Sequence, residues 1–113
     1  MSSGPLLEVV VEPLAEGCVI RARGELDMSS VEALRGPLLA AREEGATTLV
    51  DLSEVGFMDS SGLHLILDAS LDAKADGWSL SFLPSRQVFR VLEVTDTLRV
   101  VPVVSSDDSP GPA

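Results

Sequence analysis

The chain has 113 residues, of which 45% are hydrophobic, and it carries a formal net charge of −10 at pH 7. A chain of this length forms one domain with a single core. The acidic balance argues against a nucleic acid or a lipid surface as partner, because both are bound through Lys and Arg.

Two strands are predicted at the start of the chain. Residues 6–12 and residues 17–24 have strand-like patterns, and the second segment alternates inward and outward side chains. Residues 13–17 begin with proline and end with glycine, so we expect a turn there and antiparallel pairing of the two strands. The inward side chains of the second strand are Cys18, Ile20 and Ala22.

A helix is predicted to follow these strands. Ser29 and Glu32 have the spacing of a capping box, in which each side chain bonds the backbone N–H of the other residue. Pro37 lies inside the helical pattern, where a proline costs about 3 kcal/mol or more. The helix therefore either kinks at Arg35 or is shorter than its pattern. Its apolar stripe consists of Val31, Leu34, Leu38 and Ala41.

The second half of the chain predicts a buried strand, a loop and a second helix. Residues 47–52 are apolar enough for a central parallel strand, and a short loop is expected after them. The second helix is expected from about Ser61 to Lys74, with Gly77 just beyond its end. Its predicted buried face consists of Leu63, Ile66, Leu67 and Leu71.

Three shorter elements complete the predicted domain. Trp78, Leu80 and Phe82 alternate along a strand, and Ser85 caps a short helix. Residues 99–103 are expected to form a final edge strand. Strands that alternate with helices pair in parallel through right-handed crossovers. We therefore expect a single α/β domain with a mixed sheet of about four to five strands flanked by helices.

The domain is expected to span residues 6–104, between a flexible N-terminus (residues 1–5) and a disordered polar tail (residues 105–113). Cys18 is the only cysteine and His64 the only histidine, which leaves no basis for a disulfide or a zinc site. No segment reaches the roughly 18 apolar residues of a membrane span, and no signal-peptide pattern is present. We expect a cytosolic protein without metal or cofactor.

Two serines stand at the start of the second predicted helix. Ser60 and Ser61 follow Asp59, at a point where free backbone N–H groups and the positive end of the helix dipole favour an anion. A serine at this position can cap the helix or carry a phosphate. Local chemistry alone favours the cap, because Asp and Ser are preferred N-cap residues.

The wider pattern around these serines resembles the STAS domain of bacterial anti-sigma factor antagonists. Three pieces match in the order and spacing of that family, and the resemblance covers residues 6–104. The most specific piece is the Phe-Met-Asp-Ser-Ser-Gly-Leu core at residues 57–63, within the stretch 51–63. The flanking pieces are Gly24-Glu25-Leu26-Asp27 and Val91-Leu92-Glu93-Val94-Thr95.

The resemblance implies a phosphorylation switch. In such antagonists the serine directly after the Asp of the motif, here Ser60, is phosphorylated by the partner anti-sigma factor, which is itself a serine kinase. The unphosphorylated antagonist binds that partner and frees a sigma factor, and a phosphatase restores this form. The implied partner-binding residues are Asp27, Asp59, Ser60, Ser61, Gly62 and Leu63.

Several roles stay open at the level of sequence. Asp27 either caps the first helix or faces the kinase, and the two roles are compatible. Gly62 either permits a close approach at the first helical turn or is merely tolerated there, and we expect Gly62→Asp to leave the fold largely intact. Two positions depart from the family pattern, which often has glycine where this chain has His64 and Asp96.

An enzymatic function has little support. A serine nucleophile needs a base and a third group that orients it, and the one histidine, His64, follows Ser60 by four positions without an evident third group. No Gly-rich phosphate loop is present. The alternative to a regulated antagonist is a STAS docking subunit of a transporter or signalling complex that is not phosphorylated.

Overall fold

The computed structural model describes residues 7–105, so the predicted flexible N-terminus (1–5) and all but the first residue of the predicted tail (105–113) lie outside the described residues. Four strands and three helices follow one another within residues 7–105. They are β1 (Leu7–Leu14), β2 (Gly17–Leu26), α1 (Val31–Glu44), β3 (Thr47–Met58), α2 (Ser60–Asp76), β4 (Leu80–Pro84) and α3 (Arg86–Val94). In this part of the chain no helix has the length and apolar character needed to cross a membrane.

The strands form one mixed sheet in the order β1-β2-β3-β4. β1 and β2 pair antiparallel, as the turn between them predicted, while β2, β3 and β4 run parallel. Right-handed crossovers between successive parallel strands place α1 and α2 on the same face of the sheet. The predicted single α/β domain with a mixed sheet flanked by helices is therefore confirmed.

The core lies between the sheet and its helices. Ile20, Val50 and Phe82 stand in one row across three strands and are almost completely buried. α1 covers them with its predicted apolar stripe, and α3 adds Val88 and Leu92. Burial of such side chains stabilises the fold by about 1.5–3 kcal/mol each.

The buried face of α2 differs from the predicted one. Ile66 is buried as expected, but Leu63 and Leu67 are half-buried and Leu71 is 54% exposed. Small side chains occupy much of the face that meets the sheet, which lets the helix approach closely while the leucines stay at its margin. The buried residues of α2 are Gly62, Leu65, Ile66, Ala69, Ser70 and Ala73.

The opposite face of the sheet carries two rows of ion pairs. Arg21 pairs with Glu12 and, at 3.5 Å between Nε and a carboxylate oxygen, with Asp51. Arg23 lies 3.7 Å from Glu8 and 3.6 Å from the neighbouring β3 residue Glu54. These exposed pairs contribute little stability, but they hold both arginines on this face, away from the helices.

β3 is longer than predicted. Residues 53–58, expected to be a loop, continue the strand to Met58. Two bulges interrupt its pairing with β2, and at each of them β3 carries one extra residue. The inward side chains Leu52, Val55 and Met58 are therefore every third residue, and the two-residue alternation that marks a strand is lost.

α1 begins one residue later than the capping box at Ser29 predicts, and the capping box itself is wrong. Ser30 is the N-cap residue and its side chain makes no capping bond. Glu32 instead pairs with Arg35, at 3.0 Å. The helix then continues through Pro37 to Glu44, so the alternative in which the helix is shorter than its pattern is also wrong.

α3 begins as predicted and ends in an unusual way. The Ser85 Oγ accepts the Val88 N–H at 3.1 Å, which confirms the predicted cap. After the helix, Asp96 has φ 60°, in the left-handed region that favours glycine. The N–H groups of Asp96 and Thr97 bond the carbonyls of Glu93 and Leu92, which is the Schellman arrangement.

The predicted final strand at residues 99–103 is wrong. Of this segment only Val103 forms a bridge, with Phe82 of β4. The Phe82 N–H donates to the Pro102 carbonyl, and Val104 donates back to Phe82. Pro102 has no N–H of its own to donate, and residues 98–101 form turns. The chain therefore touches the sheet edge once instead of adding a fifth strand.

Candidate functional site

The candidate site lies where β2 and β3 end. These strands are parallel, and their last residues, Leu26 and Met58, are register partners. The next residues, Asp27 and Asp59, therefore lie at the same edge of the sheet. The backbone N–H of Asp59 donates to the Leu26 carbonyl at 3.2 Å, which joins the two chain segments at this point. The fold thus brings together two acidic residues that are far apart in sequence.

Asp59 is the N-cap residue of α2. Its Oδ1 accepts the N–H groups of Ser61 at 2.8 Å and Gly62 at 3.3 Å. Its Oδ2 accepts the Met28 N–H at 3.3 Å. A carboxylate at a helix N-terminus is favoured by the free N–H groups and by the dipole. Asp59 therefore fixes the start of α2 and ties it to the loop before α1.

Asp27 organises that loop. Its Oδ1 accepts the Ser29 hydroxyl at 2.8 Å, the Ser29 N–H at 3.0 Å and the Ser30 N–H at 3.2 Å. These bonds, of which that from the Ser29 hydroxyl is the strongest, hold the pKa of the Asp27 carboxyl below its usual value. Asp27 thus holds the turn before α1, whereas the N-cap position of that helix is Ser30.

Ser60 and Ser61 differ in exposure, and neither caps α2. The capping groups are the oxygens of Asp59, so the alternative in which a serine caps this helix does not hold. Ser60 is exposed, and no group within residues 7–105 hydrogen-bonds its hydroxyl. Ser61 is half-buried and its N–H is held by Asp59. The accessible hydroxyl at this helix start is therefore that of Ser60.

Gly62 permits a close approach of β2 and β3 to the first turn of α2. A Cβ atom at this position would lie 2.7 Å from Met58 Cγ and 2.8 Å from Leu26 Cγ. Both of those side chains are buried, so neither can swing away into solvent. The first of the two sequence alternatives for Gly62 is therefore right, and the expectation that Gly62→Asp leaves the fold largely intact is wrong.

Gly24 has a related role one strand away. Its φ of 118° is a value that other residues rarely adopt, and a register shift follows it directly. The extra residue of this bulge lies on β3, while β2 keeps its alternation, so Leu26 points into the core like Ala22. The glycine in the Gly24-Glu25-Leu26-Asp27 motif is thus required by the backbone.

Three apolar side chains close in sequence to Asp27, Asp59 and Ser60 are accessible to solvent, and two of them are not among the site residues that the sequence predicts. Met28 is 78% exposed and Phe57 is 49% exposed, while Leu63 is half-buried. Met28 stands between Asp27 and Ser29 in a polar turn, and a large apolar residue in such a turn has no core to join. The position of Met28 in the sequence therefore already indicated an exposed apolar side chain. An exposed hydroxyl beside apolar side chains suits contact with a protein surface.

The arrangement offers no site for a bound metal among the described residues, since no group of three or more His, Cys, Asp or Glu comes together there. His64 lies one helical turn after Ser60 and is exposed. The carboxylates of Asp27 and Asp59 are occupied by backbone donors. The site can therefore present a hydroxyl and receive a new charge without loss of its own hydrogen bonds.

Comparisons with known proteins agree with this geometry. The family model described as "Mlab, STAS domain" matches residues 10–102. The anti-sigma F factor antagonist of Lysinibacillus sphaericus is 36% identical over 81 residues, which are 69% of this chain and 69% of that protein.

Two solved structures have the same fold. The anti-sigma factor antagonist SpoIIAA in its unphosphorylated form is 28% identical and has a TM-score of 0.70, over 89% of this chain and 91% of that chain. The Bacillus cell fate determinant SpoIIAA in its phosphorylated form is also 28% identical and has a TM-score of 0.67, over 89% of this chain and 95% of that chain.

The fold and the site define a small α/β domain with one exposed serine at the start of a helix, and the preceding aspartate is the N-cap of that helix. The family model covers most of the chain, so this protein belongs to the STAS domain family. Its relatives described above are anti-sigma factor antagonists, and the resemblance noted in the sequence is confirmed.

Proposed function

We propose that this protein is an anti-sigma factor antagonist that is switched by phosphorylation of Ser60. In its unphosphorylated form it binds a cognate anti-sigma factor, which is also a serine kinase, and thereby frees a sigma factor. Phosphate on Ser60 ends that binding, and a phosphatase restores it. The observation that carries the proposal is the exposed Ser60 hydroxyl, which takes no part in capping α2.

The cap explains how a kinase can use Ser60 without unfolding the helix. A serine that caps a helix must release its bond before its oxygen can attack a phosphoryl group. Here Asp59 holds the first N–H groups of α2, so the Ser60 oxygen is free for transfer. Ser61 is less accessible, because it is half-buried beside the same cap.

The docking surface would combine this hydroxyl with its apolar surroundings. Met28, Phe57 and Leu63 supply apolar area, and their burial against a partner contributes about 25 cal/mol per Å². A phosphate in the middle of such a surface brings about −1.5 to −2 charges that must lose water on docking. Asp27 and Asp59 add negative charge at the same edge, so repulsion acts in the same direction.

The two forms of SpoIIAA support this mechanism by analogy. Solved structures exist for its unphosphorylated and its phosphorylated form, and both have the fold of the present chain. This suits a switch that works through local charge and leaves the domain folded.

The proposal is tested by incubating the protein with its cognate anti-sigma factor and ATP, followed by intact mass and phosphopeptide mapping. One added phosphate on the segment around Asp59, together with loss of the complex, supports the switch. A stable complex that gains no phosphate would favour the alternative, a docking subunit that is not phosphorylated.

A further inference from the structure

We propose that His64 binds the phosphate on Ser60 across one turn of α2 and so sets the charge of the phosphorylated form. This inference rests on the proposed function for its biological meaning, because it concerns the modified state of the same serine. It names a positioning residue for the phosphate.

The helix geometry brings the two side chains together. Ser60 and His64 are four residues apart in α2, and both are exposed. Residues with this spacing are neighbours on a helix surface, with Cβ atoms about 5–6 Å apart. Side chains on a helix lean toward its N-terminus, so the imidazole of His64 extends over the turn that carries Ser60.

The other cations of the helical layer are committed elsewhere. Arg35 on α1 pairs with Glu32 at 3.0 Å. Arg42 on α1 forms ion pairs with two carboxylates in the C-terminal half of α2, at 3.0 Å and 2.7 Å. Lys74 lies in the last turn of α2, about 20 Å along the helix axis from Ser60. None of the three can reach the first turn without giving up its position.

The remaining arginines belong to other parts of the fold. Arg21 and Arg23 are held in the ion-pair rows on the helix-free face of the sheet. Arg99 pairs with Asp96 beyond α3. Arg86 and Arg90 on α3 have no ion pair among the described residues. The helix that carries them packs against β3 and β4. His64 is thus the only basic residue on the Ser60 face of α2.

The groups around His64 leave it available. On α2 itself the next turn brings Asp68, which lines the cleft toward α1 together with Arg35. At the start of the helix, Asp59 and Asp27 are engaged with backbone donors. No described residue forms a hydrogen bond or ion pair with the imidazole of His64. A phosphate on Ser60 would therefore be the strongest anion within its reach.

The test uses phosphoserine installed at position 60 during translation, so it needs no kinase. His64 is the only histidine of the chain, so its carbon-bound ring protons give one pair of NMR signals without assignment work. We expect the pH midpoint of these signals to move upward by about 0.2–0.4 units when position 60 carries phosphoserine. The pH midpoint of the phosphorus NMR signal of this phosphoserine should in turn be lowered by His64.

Two comparisons make the result specific. Phosphoserine at position 53, an exposed strand residue among the ion-pair rows, adds the same charge far from α2 and should leave the imidazole midpoint nearly unchanged. His64→Gln should abolish the shift of the phosphorus signal. Equal imidazole shifts from positions 53 and 60, or a phosphorus signal that is indifferent to His64→Gln, would overturn the inference. Failure of the kinase to label Ser60 would instead count against the proposed function alone.

Discussion

The carboxylate of Asp59 accepts the backbone N–H of Met28 at 3.3 Å, although the two residues are 31 positions apart. The other oxygen of the same carboxylate caps α2. One side chain therefore couples the loop before α1 to the helix that presents Ser60. The shape of the proposed docking surface depends on this coupling, because Met28 and Ser60 lie on its two sides.

Asp59→Ala should lower the free energy of unfolding by about 1–2 kcal/mol, since it removes the cap and leaves backbone donors without partners. Urea unfolding monitored by the fluorescence of Trp78, the only tryptophan, measures the change. Asp59→Asn is the matched control, because Asn caps helices about as well as Asp. If the alanine variant unfolds at the same urea concentration as the asparagine variant, the capping role assigned to Asp59 is wrong.

Gly62→Ala should destabilise the protein by about 1–3 kcal/mol, which is the usual cost of an added methyl group in a packed site. The added Cβ would overlap Leu26 and Met58. Gly56→Ala on β3 is the control, because no atom lies within 4 Å of a Cβ at that position. Thermal unfolding of both variants gives the comparison. Equal melting temperatures would show that the contact at Gly62 relaxes without cost.

The sequence predicts best those parts of the fold in which the preferences of neighbouring residues and the tertiary packing favour the same structure. β1 and β2 were found because a turn with Pro13 and Gly17 separates two strand-like segments. The cap at Ser85 was found because serine stood directly before an amphipathic segment. In both cases the feature depends on residues that are adjacent in the chain.

The errors arose where distant contacts decide the structure. Bulges in β3 depend on its pairing with β2, so the strand looked like a loop after residue 52. The capping box at Ser29 does not form, because Asp27 accepts both the Ser29 N–H and the Ser29 hydroxyl that the box requires. Leu71 was placed in the core by its hydrophobicity, whereas small residues of α2 face the sheet. At the site, Asp59 and Ser60 were recognised, but the exposure of Met28 required the loop geometry.

Pro37→Ala should raise the free energy of unfolding by about 1–3 kcal/mol, because α1 continues through this position and proline removes one of its hydrogen bonds. Pro13→Ala, on the exposed edge strand β1, is the control for the loss of a proline from the unfolded chain, and it should be neutral or slightly destabilising. Urea titration distinguishes the two. A Pro37→Ala variant no more stable than the wild type would indicate that the helix has adapted to the proline.

Asp96→Gly should stabilise the protein by about 0.5–1 kcal/mol, because residue 96 adopts a left-handed conformation that glycine accepts without strain. Asp96→Ala removes the same carboxylate but keeps a Cβ, so it should be no more stable than the wild type. Thermal unfolding of the three proteins gives the order. If glycine and alanine have the same effect, the carboxylate and not the backbone conformation determines stability here.

Acid should weaken the loop at Asp27. Its pKa is depressed in the folded protein by the Ser29 hydroxyl and neighbouring N–H donors. A depressed carboxyl pKa contributes stability above the unfolded value of about 3.9, and this contribution is lost as the pH falls through the folded pKa. The urea midpoint should therefore drop below about pH 4 less steeply in Asp27→Asn than in the wild type. Glu16→Gln, in the turn between β1 and β2, is the control and should follow the wild type.

Ser60 and Ser61 provide the decisive pair for the proposed switch. Ser60→Ala should bind the anti-sigma factor and resist phosphorylation, so that it acts as a constant antagonist. Ser61→Ala should be phosphorylated like the wild type, because the accessible hydroxyl is retained. Kinase treatment followed by phosphopeptide mapping measures both. Phosphate on Ser61, or full labelling of Ser60→Ala, would show that the assignment is wrong.

Ser60→Asp should fold but bind the anti-sigma factor about five- to ten-fold more weakly, because one carboxylate mimics a phosphate only in part. A unit charge about 5 Å from another interacts by about 3 kcal/mol at an effective dielectric constant of about 20, and solvent and salt reduce this value severalfold. The remaining penalty of about 1–1.4 kcal/mol weakens a complex to that extent, while a domain stability of about 5–15 kcal/mol withstands it. Calorimetric titration against Ser60→Asn, which is similar in size and uncharged, isolates the charge. Equal affinities of the aspartate and asparagine variants would remove charge repulsion as the basis of the switch.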